Sequence, residues 1–185
     1  MRIARKLSDD QEIIGRFIAV LGSAMIELSS NKLASPDFFI TAHNFISDYI
    51  EGGFFKKEEL LIKALEDVGF PPDDGPIHFM RSEQEKSREA AKHMIKAAKQ
   101  WQAGETNARV DVSWAASEYT SNFRGHLERL KNLIFPLLEQ NLSIEDEHKI
   151  AEGFNTIVFK GDKKNDPDKF SKMVKTLEEE LEDWR

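Results

Sequence analysis

YTSNFRGHLERLKNLIFPL, residues 119–137, sets its apolar side chains in a helical rhythm. Tyr119, Phe123, Leu130, Leu133, Ile134 and Leu137 form one stripe, with His126 inside it. Steps of three and four residues place them on one face of an amphipathic helix. A lone imidazole on such a face is ordinarily a hydrogen-bonded core residue. A start at Asp111 or Ser113 makes this the fourth helix of the chain.

Working outward, the same period recurs. A third helix is predicted from Pro76 to about Ala103, with Ile77, Met80, Gln84, Ala91 and Ile95 on one face and Gly104-Glu105-Thr106-Asn107 after it. A second starts at Ser35-Pro36-Asp37, a capping residue followed by proline at the first helical position. Its stripe passes through Phe39, Phe45, Ile46, Tyr49 and Ile50 to Leu61, Leu65 and Val68. Gly52-Gly53 inside it predicts a kink or local distortion, with a break into two helices as the alternative, because glycine costs about 1 kcal/mol relative to alanine in a helix. Residues 69–75 read as a loop. The first helix runs from about Ser8 to Leu28, with Ser8 and Gln11 in a capping-box pattern and Ile14, Phe17, Ile18, Leu21, Met25 and Leu28 as its stripe.

Beyond the fourth helix, Ser143 has the form of a cap on a short helix extending to about Phe159. Lys160 to Asn165 reads as a polar linker, and Asp166-Pro167 starts a last helix with Phe170, Met173, Val174, Leu177, Leu181 and Trp184 along one side. Its acidic end, Glu178 to Asp183, opposes the helix dipole. Packing onto the bundle is the first reading of this helix, and a protein-interaction tail the second. Four amphipathic helices with short connections make the expected fold all-α: an up-down four-helix bundle over residues 1–159, with additional C-terminal helices. Residues 160–185 are expected to be the linker and a C-terminal amphipathic helix packed on the bundle.

Composition narrows the function. Charged residues make up 32 % of the 185-residue chain and apolar ones 40 %, the balance of a globular protein. A net charge of −7 argues against nucleic acid as a partner, because phosphate recognition needs a basic face. With no cysteine, disulfides, thiolate metal sites and cysteine nucleophiles are excluded. Asp9, Asp10 and Glu12 interrupt the basic start before the apolar run 17–26, which argues against a signal peptide. That run is also short of the ~20 residues of a membrane span. The expectation is a cytoplasmic protein with no membrane partner, leaving open a protein partner or a homo-oligomer, with any small ligand unidentified.

The candidate chemistry lies in polar residues on apolar faces. His126 stands in the fourth-helix stripe, Glu58 between Phe54 and Leu61/Leu65, Gln84 on the face of Ile77 and Met80, and Gln11 one turn before Ile14. These four are expected to converge. Without partners, burial of such groups costs about 1–3 kcal/mol each. His78, His93 and His148 lie in charged or terminal contexts, and His43 is ambiguous.

The run Lys56-Lys57-Glu58 through Leu61 to Glu66, then Gly75-Pro76-Ile77, Met80, Ser82-Glu83-Gln84 and Arg88, resembles the bacterial hemerythrin-like (HHE cation-binding) family. Tyr119, His126 and Leu133-Ile134-Phe135-Pro136 are similar to its fourth-helix motif, and residues 142–147 with Phe154 to its closing segment. The resemblance covers roughly residues 8 to 159. It implies a di-iron bundle whose ligand positions can be carried over one by one. The first-helix histidine falls near Gln11, the loosest placement. The second-helix His-His-x-Lys-Glu-Glu motif corresponds to the run Gly53-Phe54-Phe55-Lys56-Lys57-Glu58, with the ligating histidine position at Phe54 and the carboxylate at Glu58; the third-helix Glu-His becomes Glu83-Gln84, and the fourth-helix His-x-x-x-Glu becomes His126 to Leu130. Glu58 and His126 therefore keep metal-competent residues, whereas Gln11, Phe54, Gln84 and Leu130 do not. A pair of metal ions needs bridging carboxylates and several imidazoles.

The expected arrangement is a core without its metal, in which Phe54 and Leu130 fill space, Glu58 and His126 pair, and the glutamines satisfy what remains. That makes a non-enzymatic binding, sensory or regulatory module with no cofactor the first reading. The alternative is a hemerythrin-like metalloprotein holding iron for oxygen binding or sensing, iron handling or oxidative-stress response. An enzyme using Glu58 and His126 as an acid–base pair comes last, because no nucleophile motif, phosphate loop or cofactor signature is present.

Overall fold

The structure, a computed structural model, describes residues 2–30, 32–162, 166 and 168–185. Every regular element among them is helical. A short α1 (Arg2–Lys6) leads into α2 (Ser8–Leu28). Next, α3 (Pro36–Phe45) continues through a π-helical stretch, Ile46–Phe54, into α4 (Phe55–Asp67). The hairpin of α5 (Gly75–Gln102) and α6 (Ala108–Arg129) comes next, and α6 passes through a second π-helical stretch, Leu130–Ile134, into α7 (Phe135–Asn141). Two C-terminal helices, α8 (Ile144–Thr156) and α9 (Lys169–Asp183), complete the chain.

The protein is an up-down four-helix bundle of α2, α3–α4, α5 and α6–α7, with further helices at the C-terminus. Each bundle helix places its apolar stripe inward. Ile14, Phe17, Leu21, Phe39, Phe45, Leu61, Ile77, Met80, Tyr119, Phe123 and Leu130 are all buried. α5 packs against α3 and α6, and α6 against α2. Local chemistry ends the helices where the sequence places the breaks. Ser35 accepts the Asp37 N–H at 3.2 Å with Pro36 at the first position. Asp74 accepts from Gly75 N–H at 2.8 Å, and Ser143 and Asp146 form a reciprocal capping box. Gly69 (φ +104°) and Gly104 (φ +105°) take left-handed conformations that let Phe70 and Glu105 bond back to Leu65 and Gln100, the Schellman closure.

The N-terminus departs from the expected cap. Ser8 does not cap α2; its hydroxyl donates to the Arg5 carbonyl at 2.7 Å, and Leu7 stands at the α1–α2 junction. Ile3 and Leu7 are fully buried, so the helical phase continues upstream of Ser8, and α1 packs on α8.

Gly52-Gly53 does not break the second helix. It lies at the end of the π-helical stretch, which carries the chain through to α4. The second such stretch ends just before Phe135-Pro136. A proline there removes one N–H from the ladder and crowds the carbonyl one turn back, and a wider turn relieves both.

α9 lies on α2 and α3. Phe170, Val174, Leu177, Leu181 and Trp184 are buried, and Met173 is partly so. Trp184 meets Phe38 at 4.9 Å between ring centroids. The expected helix start at Asp166-Pro167 and the linker residues 163–165 fall partly outside the described residues; α9 itself begins at Lys169.

Candidate functional site

Three of the four polar residues singled out in the sequence meet in the core. Glu58 on α4 is fully buried, with Gln84 on α5 and His126 on α6 almost so. Glu58 Oε1 accepts from Gln84 Nε2 at 2.9 Å, and Glu58 Oε2 lies 2.6 Å from His126 Nε2. The two acceptor oxygens of one carboxylate are thus engaged from two other helices.

On the far side of the imidazole stands Glu83, which sequence reasoning missed as a site residue. Its Oε1 lies 3.8 Å from His126 Nδ1 and 2.8 Å from Arg129 Nε. Arg129 in turn covers the Phe79 ring at 5.0 Å. A chain of charges therefore runs outward from Glu58 through His126 and Glu83 to the part-exposed Arg129. Asn122 braces this side by donating to the Glu83 carbonyl at 2.9 Å and to Ser87 Oγ at 2.7 Å. The signal for Glu83 was present in the period, since Met80, Glu83, Ser87 and Ala90 succeed one another in steps of three and four.

Burial alone would discharge His126, yet the Glu58 carboxylate, its hydrogen bond and Glu83 outweigh desolvation and lift the imidazole pKa to about 10. The ring thus has a carboxylate on each side, Glu58 within hydrogen-bond reach of Nε2 and Glu83 at longer range from Nδ1. Apolar side chains close the site. Phe54 and Leu130 are fully buried, and the Phe123 ring lies 5.4 Å from the His126 ring.

Gln11 is not part of this cluster. It is half-buried, and the buried polar residue of its helix is Asp10. Asp10 Oδ1 accepts from the Tyr49 hydroxyl at 2.6 Å, and Oδ2 from Lys57 Nζ at 2.7 Å. Burial, and then Asp10, push the Tyr49 hydroxyl pKa upward, so it remains a donor. The Lys57 ammonium also lies over the rings of Phe159 at 5.1 Å and Phe154 at 5.8 Å. Asp10, Ile14, Phe17 and Leu21 share one helical face, which is the sequence signal for this second network. His78, His93 and His148 are exposed, and His43 is half-buried.

A family model for the hemerythrin HHE cation binding domain matches residues 3–138, most of the chain. The chain belongs to the hemerythrin family. Searches of curated proteins and of solved structures found no match.

The family's cation can be tested against the donors that this hemerythrin chain offers. Phe54 and Leu130 bring no lone pair to the core. Gln84 turns its N–H group to Glu58, and His126 Nε2 is engaged by the same carboxylate. Glu58 and Glu83 lie on opposite sides of the ring, so they cannot share a metal with it as neighbouring ligands. Among the described residues, no group of three or more His, Cys, Asp or Glu is placed to hold a metal ion. The residues present do not fit a di-metal centre, because Phe54 and Leu130 offer no donor and a neutral amide stands at Gln84, which leaves too few carboxylates and imidazoles for two ions.

Proposed function

We propose that this hemerythrin-like chain is a non-enzymatic binding, sensory or regulatory module of the cytoplasm, working without iron. One observation carries the reading: Phe54 and Leu130 are fully buried apolar side chains beside the cluster, and both oxygens of Glu58 are already engaged, by Gln84 Nε2 at 2.9 Å and His126 Nε2 at 2.6 Å. The bundle then serves as a scaffold whose surface, or whose C-terminal helices, meets a protein partner or a second copy. The net charge of −7 disfavours nucleic acid as that partner. Among the described residues no helix is long and apolar enough to cross a membrane.

Elemental analysis of untagged protein tests the reading. Folded protein with far less than one equivalent of iron is expected. Two equivalents, with a ligand-to-metal charge-transfer band, would establish the metalloprotein instead.

A further inference from the structure

α2 and α6 lie against each other in opposite directions, and two contacts set their register. The Arg109 guanidinium donates to the Leu28 carbonyl. Arg124 reaches Gly22, where a Cβ would lie 3.1 Å from its guanidinium. The end of α2 therefore meets the start of α6.

The outward face that these two helices share is unlike the rest of the surface. In a chain with 32 % charged residues, Gly15, Ala19, Ser23 and Ile26 follow one another along the outside of α2, and Val110, Trp114, Ser117 and Ser121 along the outside of α6. None of them is charged. Large side chains gather at one end, where Ile26 is 69 % exposed, Val110 59 % and Trp114 68 %. Trp114, Val110, Ser113 and Leu28 line a hollow of about 320 Å³ there. The other end is small, with Gly15, Ala19, Ser121 and Gly125, and a Cβ on either glycine would meet nothing within 4 Å. The C-terminal segment leaves this face open, since it reaches α2 at Arg16 and Glu27 instead. An apolar cluster of this kind in water marks an interaction surface, and tryptophan is the commonest anchor of such surfaces.

The charges beside the face divide between its two ends. Arg124, next to Ser121 and Gly125 at the small end, enters no ion pair among the described residues. Asp111 and Glu118 flank Trp114 in a second hollow at the large end and are likewise unpaired among the described residues.

We propose that the α2–α6 face is the interface of a two-fold dimer of this chain, with the large end of each copy seated on the small end of the other. A two-fold interface must be complementary to itself. Large side chains at one end and glycines at the other meet that condition, and so do carboxylates at the first end and a free guanidinium at the second. In this arrangement the indole of each copy lies over Ser121 and Gly125 of the other, and each Arg124 comes to the other copy's Asp111 and Glu118. Naming a second copy as the partner goes beyond the reading of a binding module. Iron in the core would overturn that reading and leave the dimer standing.

Sedimentation equilibrium of the full chain tests the dimer. A monomer–dimer equilibrium is expected with a dissociation constant below roughly 100 µM. Trp114→Ala and Ser121→Arg should each raise that constant about tenfold or more. Both positions are exposed, so the thermal midpoint of the monomer should stay unchanged. Arg124→Glu should weaken association, and adding Glu118→Arg to it should restore part of the loss. Protein that stays monomeric up to about 1 mM overturns the proposal. A dimer that neither Trp114→Ala nor Ser121→Arg weakens overturns it equally. If the charge exchange restores nothing, the large-end-on-small-end arrangement is wrong.

Discussion

Lys57 and Glu58 are consecutive in α4 and serve two different buried networks. Lys57 reaches Asp10 at 2.7 Å, beneath the rings of Phe154 on α8 and Phe159 in the turn after it. Glu58 turns to the bundle core and binds Gln84 and His126. One peptide unit thus connects the turn after α8 with the carboxylate–imidazole cluster. Both networks begin within four residues of the π-helical stretch ending at Phe54.

The His126 pair makes stability depend on pH in a defined direction. Its folded pKa of about 10 lies above the ordinary 6.5, so its contribution is fully present below about pH 6.5 and is lost as pH rises through 10. Thermal midpoints should fall between pH 7 and pH 10, with a slope of at most about 1.4 kcal/mol per pH unit from this group. His126→Gln should remove that part of the slope, and an identical profile in the variant would refute the assignment.

Removing the imidazole leaves Glu58 buried without its charge partner. His126→Ala should destabilise the fold by roughly 3–5 kcal/mol, read from denaturant midpoints. Gln84→Ala, which removes one neutral donor, should cost about 1–3 kcal/mol. An unchanged midpoint for His126→Ala would mean that the pair contributes nothing to the fold.

The two classes of helical glycine should respond in opposite directions. Gly15 has open space where a Cβ would stand, so Gly15→Ala should stabilise by about 0.5–1 kcal/mol. Gly53→Ala should destabilise, because Phe159 must leave its seat. Melting temperatures of the two single variants decide it, and equal shifts in the same direction would count against the close seat of Phe159 on Gly53.

Phe54→His, Gln84→His and Leu130→Glu together restore donors at family ligand positions. The triple variant should take up more iron than the wild type, measured as metal per folded chain. A folded variant with no uptake would show that the residue-by-residue placement is wrong.

Much of the fold and the site was legible in the chain. Steps of three and four residues, Ser35-Pro36, Ser143 and the Gly-rich breaks locate the bundle helices, since stripe and cap are local properties. The same face arithmetic brings Glu58, Gln84 and His126 to the core. It failed at Gln11 because Asp10, one position earlier, shares the face of Ile14 and Phe17 and is the residue that turns inward.

The sequence by itself therefore determined the helices and their inward faces, because periodicity and side-chain chemistry need no partner to be read. Only the tertiary structure decided which polar groups pair, since Glu83, Arg129, Asp10 and Lys57 find partners far away in the chain. It also decided the meaning of Gly52-Gly53. A glycine pair reads as a weak point until Phe159 and Lys160, more than a hundred residues later, are seen lying against it.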